Sequence, residues 1–182
     1  MLLIFLILIA CIVLVLFVFI LTTSLRTGVV PMPSLRNERM VVSNILKEYP
    51  DIQTIVDLGS GWGGLVRYLA LRIPDRKIIG VEKSLVPHLF SGFSAFPFWQ
   101  RYYQGRVSHE QGDLYTRKIE NRQACITYLS GPAMKKLRES FERDRPTGSI
   151  LISIAFAMPG WTPVRIEYAE GVLHSAVYVY EL

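Results

Sequence analysis

The sequence predicts an α/β fold built on a mostly parallel sheet and carried behind one apolar amino-terminal segment. Three observations predict it. Short apolar, β-branched runs recur at residues 53–58, 77–82, 107–111, 124–129 and 149–156, with helix-forming stretches between most of them. The first run passes directly into the glycine turn Gly59-Ser60-Gly61-Trp62-Gly63-Gly64 and then into helix-forming residues, the place where a parallel sheet binds its ligand. Residues 1–21 carry no charged side chain. With that leader set aside, the 182-residue chain holds one domain of ordinary size, divided as anchor 1–22, linker 23–33 and folded domain 34–182.

The leader is long enough to cross a bilayer, since about 21 helical residues rise roughly 31 Å. It lacks the basic start and the small-residue cleavage site of a secretory signal, so the expectation is a single transmembrane helix that contacts the lipid bilayer. Arg26, Arg36, Arg39 and Lys47 all follow it, which places the folded domain on the cytoplasmic side. Pro31 and Pro33 stiffen the linker. Ser34 is placed to cap a helix whose apolar face is Val41, Val42, Ile45, Leu46 and Tyr49. Its polar face is Asn37, Glu38, Ser43, Asn44 and Lys47, and Pro50 ends it.

The helix that starts at Gly64 ends before Pro74, and residues 77–82 complete a right-handed β-α-β crossover. Residues 87–104 are rich in aromatics and read either as a helix packed on the sheet or as a belt at a membrane interface. Only about ten residues separate Asp113 from the run at 124–129, so any helix there is short. Ser130 is placed to cap a helix over 132–143. Two last strands, 165–169 and 176–181, flank Gly171 as a hairpin.

A net charge of +5, without long basic runs, does not indicate a nucleic-acid partner. It does suit a domain lying against anionic lipid. Cys11 and Cys125 form no disulfide framework, and a reducing compartment follows. His88, His109 and His174 are scattered, so no metal site is expected.

The glycine turn also fits the dinucleotide pattern Gly59-x-Gly61-x-x-Gly64. Asp57 argues for another ligand, because a carboxylate there repels a pyrophosphate and attracts a ligand bearing an ammonium and a sulfonium. No Lys or Arg occurs in the turn before Arg67. Glu82, ending the second run, can accept hydrogen bonds from a ribose diol, and Asp113, after the third, can accept one from an adenine amino group.

Asp57-Leu58-Gly59-Ser60-Gly61-Trp62-Gly63 resembles the first motif of the class I S-adenosylmethionine-dependent methyltransferases. The resemblance runs from about Pro31 to the carboxyl terminus. It implies a Rossmann-like, seven-stranded sheet with one antiparallel strand, and S-adenosyl-L-methionine held by Asp57, Gly59, Ser60, Gly61, Glu82 and Asp113. A closer likeness is to the membrane-tethered branch related to mitochondrial methyltransferases that modify lysines of inner-membrane proteins. Val30-Pro31, Leu129, Met134-Lys135-Lys136-Leu137 and Phe156-Ala157-Met158-Pro159-Gly160-Trp161 carry it. That likeness implies a protein-lysine acceptor on a membrane protein, entering beside Tyr128, Ser130 and Trp161, with Tyr128 orienting the amine. Three departures stand out: Trp62 replaces the usual Asp, Gly64 replaces a basic residue, and Tyr128-Leu129-Ser130-Gly131-Pro132 lacks the acidic or amide residue followed by two prolines that many amino-group methyltransferases carry. A nucleotide-binding oxidoreductase of the NAD type and a non-catalytic membrane-bound binding module remain the alternatives, although 182 residues leave little room for a dehydrogenase's catalytic domain.

Overall fold

The computed structural model describes residues 4–11, 14–15, 33–92, 103, 105–171 and 174–182. It divides into two units, Met1–Pro31 and Met32–Leu182. In the first unit, residues 4–11 and 14–15 are helical with exposed apolar side chains. Among the described residues no helix is long and apolar enough to cross a membrane. Much of the expected anchor, the linker through residue 32 and the aromatic stretch 93–102 lie outside the described residues.

The second unit starts with α1 (Arg36–Lys47) and β1 (Thr54–Leu58), and continues through α2 (Gly64–Arg72), β2 (Lys77–Glu82), α3 (Leu85–Ser91) and β3 (Val107–Gln111). After them come β4 (Gln123–Thr127), α4 (Gly131–Asp144), β5 (Ile150–Ile154), β6 (Arg165–Tyr168) and β7 (Ala176–Glu181). The seven strands lie in the order β3-β2-β1-β4-β5-β7-β6. β1 to β5 run parallel, and β7 is antiparallel to both β5 and β6. The seven-stranded sheet with one antiparallel strand agrees with the expectation.

Helices cover both faces of a parallel sheet, so its central strands are buried along their length and mostly apolar rather than alternating. Ile55, Val56, Leu58, Ile126, Leu151 and Ile152 are fully buried. β6, at the edge, alternates instead, and its Arg165 pairs with Glu48 and Glu167, charges that discourage edge-to-edge pairing. Arg106 donates to the carbonyls of Ala70 and Ile73, acceptors left over at the end of α2, and to that of Arg76 in the turn that follows, tying the start of β3 to both.

Several boundaries and faces differ from the sequence reading. Leu35, not Ser34, is the N-cap of α1; Glu38 Oε2 accepts the Leu35 N–H at 2.6 Å, and Ser34 Oγ accepts from Arg39 Nε. Glu38 and Ser43, expected on a solvent face, are 1% and 2% exposed. β4 stops at Thr127, because Tyr128 and Leu129 already lead to Ser130, the N-cap of α4.

Gly80, central in β2, is required by close packing. A Cβ there would lie 2.9 Å from Ser60 Oγ and 3.0 Å from both His109 Nδ1 and Val66 Cγ2. Gly80→Ala is therefore expected to destabilise the domain by about 1–3 kcal/mol, the usual cost of overpacking, which urea unfolding would measure.

Candidate functional site

The parallel register fixes where the functional residues meet. Leu58 pairs with Val81 on one side and Thr127 on the other, so the residues after β1, β2 and β4 emerge together at one edge of the sheet. The glycine turn sits there. Gly59, Gly61 and Gly63 have φ of 85°, 52° and 73°, the left-handed region that glycine enters without strain. The Gly59 and Ser60 N–H groups both donate to Val81 O at 2.9 Å, holding the turn onto β2. Leu129, past the end of β4, closes the other side, with its Cδ2 3.3 Å from a Cβ placed on Gly59.

Asp57 lies on β1 just before the turn and is 5% exposed. Burial pushes its carboxyl up to about 7, the neighbouring Glu82 pushes the same way, and Arg39 opposes them. No described residue makes a hydrogen bond or ion pair with its side chain. Among the acceptor-only side chains at this edge, it is the one left to find a donor elsewhere.

Glu82 is differently placed. Its Oε2 accepts the Gly61 N–H at 2.9 Å and its Oε1 accepts the Ser84 N–H at 2.7 Å. It thus holds the glycine turn as well as facing the site, a structural role that the sequence reading did not assign to it. Each oxygen keeps a second lone pair for a ribose hydroxyl. Asp113 is also engaged: Oδ2 accepts from Lys83 at 2.9 Å and Oδ1 accepts the Tyr115 N–H at 3.0 Å. Despite some desolvation, the largest influence, these donors hold its carboxyl below the usual range.

Tyr128 and Ser130 stand at the same edge, following β4. The Tyr128 phenol is pushed above its usual pKa by burial and then by Glu38 on α1, so at neutral pH it is a neutral hydroxyl and not a base. Its ring lies against Phe156, centroids 6.4 Å apart. Trp161 is not brought there, which corrects the expectation of a three-residue acceptor site. After β5 the chain doubles back, and Trp161 packs between Phe141 and Tyr180, 5.9 Å from each ring. Tyr180 is in register with Leu151, and Leu151 with Cys125, three residues short of Tyr128. Trp161 instead lines a cavity of about 590 Å³ with Arg145, Pro146, Thr147 and Leu182, beside the start of β5 and away from the glycine turn.

Three side chains that sequence reasoning did not place here are brought in by α1 and β3. Glu38 and Arg39 reach the site from the first turn of α1, and their adjacency as a charged pair just inside a helix start was the available signal. His109 packs beneath the turn, its Cε1 3.1 Å from a Cβ placed on Gly63. Burial, then Arg67 and His88, lower its pKa to about 4, so it is a neutral packing group.

The pattern of the family described as "ANTKMT methyltransferase domain" matches residues 57–165. The mouse protein "Adenine nucleotide translocase lysine N-methyltransferase" is 27% identical over 112 residues, which make up 62% of this chain and 47% of the mouse protein. The chain spans about half the length of that curated relative. An RNA methyltransferase from Salinibacter ruber, solved with S-adenosyl-L-homocysteine, superposes with a TM-score of 0.63 at 22% identity, over 82% of this chain and 92% of that one. A methyltransferase from Geobacter sulfurreducens gives 0.60 at 11% identity, over 91% and 89%. These structural likenesses establish the fold.

Proposed function

The chain belongs to the ANTKMT methyltransferase-domain family and uses S-adenosyl-L-methionine, and from that premise we propose that it methylates a lysine amine on a membrane protein while anchored in the same bilayer. The observation that carries the cofactor side is the buried Asp57 carboxylate, without a partner among the described residues, beside an open glycine turn. A Cβ on Gly61 would meet no atom within 4 Å, so ligand can approach the backbone there. The residues therefore fit the cofactor: Asp57 suits its cationic end, Glu82 has lone pairs for the ribose, and Asp113 can take the adenine amino group beside its bond to Lys83. Family membership removes the NAD-type alternative.

The bound cofactor supplies an activated methyl group, which leaves the protein the work of positioning. Holding an amine in line with that methyl is worth about 7–11 kcal/mol by effective-molarity arguments. Tyr128, a neutral phenol steadied beside Glu38, accepts a hydrogen bond from the amine and orients it. A lysine ammonium entering this partly buried edge is desolvated, and its pKa falls towards the form that can attack. The lysine acceptor is supported by the likeness to the mouse lysine N-methyltransferase, and the membrane by the uncharged leader and the exposed Ile4, Phe5, Leu8 and Val15.

The expected result is that the purified chain binds S-adenosyl-L-methionine in preference to NAD, and that membranes from cells lacking its gene accept methyl groups on protein lysines when it is added. It is also expected to stay with membranes through alkaline carbonate extraction. Methyl transfer to lipid or small molecules would overturn the acceptor, release by carbonate would overturn the anchor, and binding without transfer would favour a non-catalytic module.

A further inference from the structure

We propose that Arg39 and Asp57 together receive the amino-acid end of the cofactor, Arg39 binding its carboxylate and Asp57 its ammonium. This rests on the methyltransferase reading above. Arg39 comes from α1, outside the glycine turn. Its Nε donates to Ser34 Oγ at 3.0 Å, which orients the guanidinium, while neither Nη atom makes a hydrogen bond or ion pair with another described residue. The guanidinium lies over Gly64: the three atoms nearest to a Cβ built there are its Nη2 at 2.9 Å, Cζ at 3.4 Å and Nη1 at 3.5 Å. The second arginine nearby, Arg67, is already committed to Trp62 O at 2.8 Å.

Arg39 and Asp57 feel each other without joining. Burial and then Arg67 lower the Arg39 pKa, while Asp57 and Glu38 raise it, yet no described carboxylate lies within ion-pair distance of its nitrogens. A cation and a buried anion held near each other but apart, beside an open turn, are complementary to a zwitterion whose carboxylate and ammonium share one carbon. An arginine fork also suits a carboxylate in geometry.

The space that a side chain at residue 64 would fill is taken by the Arg39 guanidinium, so the positive charge beside the glycine turn is supplied from α1.

The test is a binding comparison on the full chain in detergent, by calorimetry, with S-adenosylhomocysteine, decarboxylated S-adenosylmethionine and methylthioadenosine, the last lacking the whole amino-acid end. Arg39→Ala is expected to weaken S-adenosylhomocysteine by about 10- to 100-fold, the usual effect of losing hydrogen bonds to a charged group, and to leave the other two ligands within about threefold. Adding Gly64→Arg to Arg39→Ala should recover most of the lost affinity, because the space at residue 64 is then clear. Arg39→Gln, which keeps a donor for Ser34, serves if the alanine variant folds poorly. Equal weakening of all three ligands would mean that Arg39 only holds the turn, and unchanged S-adenosylhomocysteine affinity would mean that it touches no ligand; either overturns the proposal. Failure of the wild-type chain to bind any of the three would overturn the methyltransferase reading itself, a separate result.

Discussion

Asp57→Asn is expected to abolish measurable cofactor binding and, at the same time, to make the unliganded protein more stable at neutral and alkaline pH. The two effects share a cause. Asp57 is a buried carboxylate whose pKa stands at about 7, raised from 3.8 by burial and by Glu82. A raised acid pKa stabilises the fold fully below the unfolded value and progressively loses that contribution as pH rises through the folded value. Ionised Asp57 is thus a standing cost to the empty protein of up to a few kcal/mol, at about 1.4 kcal/mol per unit. Asparagine removes it, so the stability gap between variant and wild type should widen from pH 5 to pH 8, measured as urea midpoints. The ionised form is what an ammonium-bearing ligand needs. Cofactor affinity should therefore rise with pH through about 7 in the wild type, and the variant should bind roughly 100-fold more weakly or worse, as when one member of a buried charge pair is lost. A variant that binds as well as wild type, or that is less stable at pH 8, would contradict this account.

Glu82→Ala is expected to lose cofactor binding too, but not cleanly. Its two carboxylate oxygens hold the Gly61 and Ser84 N–H groups, so truncation leaves two backbone donors without their acceptor and loosens the glycine turn, which keeps only the Gly59 and Ser60 bonds to Val81 O on β2. Stability should fall by about 1–3 kcal/mol, the cost of leaving a part-buried donor unsatisfied. Amide hydrogen exchange separates the roles: protection at Gly61 and Ser84 should drop in Glu82→Ala without any ligand, and should be unchanged in Asp57→Asn. Equal protection in both variants would mean that Glu82 serves only the ligand, as its position at a strand end suggests from sequence.

The contrast between these two acids shows where sequence reading stops. Both were legible as ligand-facing carboxylates, because each ends or nearly ends an apolar run that a parallel sheet aligns at one edge. That Asp57 has no side-chain partner among the described residues while Glu82 has two depends on how the turn folds over β2, a non-local contact that neither local pattern encodes. The same strand logic puts Tyr128 and Ser130 after β4, at the edge where the glycine turn lies. Trp161 was misplaced because a turn after the last parallel strand can run along the edge or double back, and the Met158 N–H bond to Tyr180 Oη decides for doubling back.

The sequence by itself determined the strand set, the glycine turn and the carboxylates flanking it, because side-chain periodicity and the left-handed freedom of glycine are local properties. Only the tertiary structure decided that Glu38 is buried beside Tyr128, that Trp161 leaves the site, and that Arg39 occupies the space over Gly64. Each of these depends on two segments far apart in the chain being brought together, and the packing of α1 and of the β5–β6 connection against the sheet is selected by fit and burial across the whole core, which no window of neighbouring residues contains.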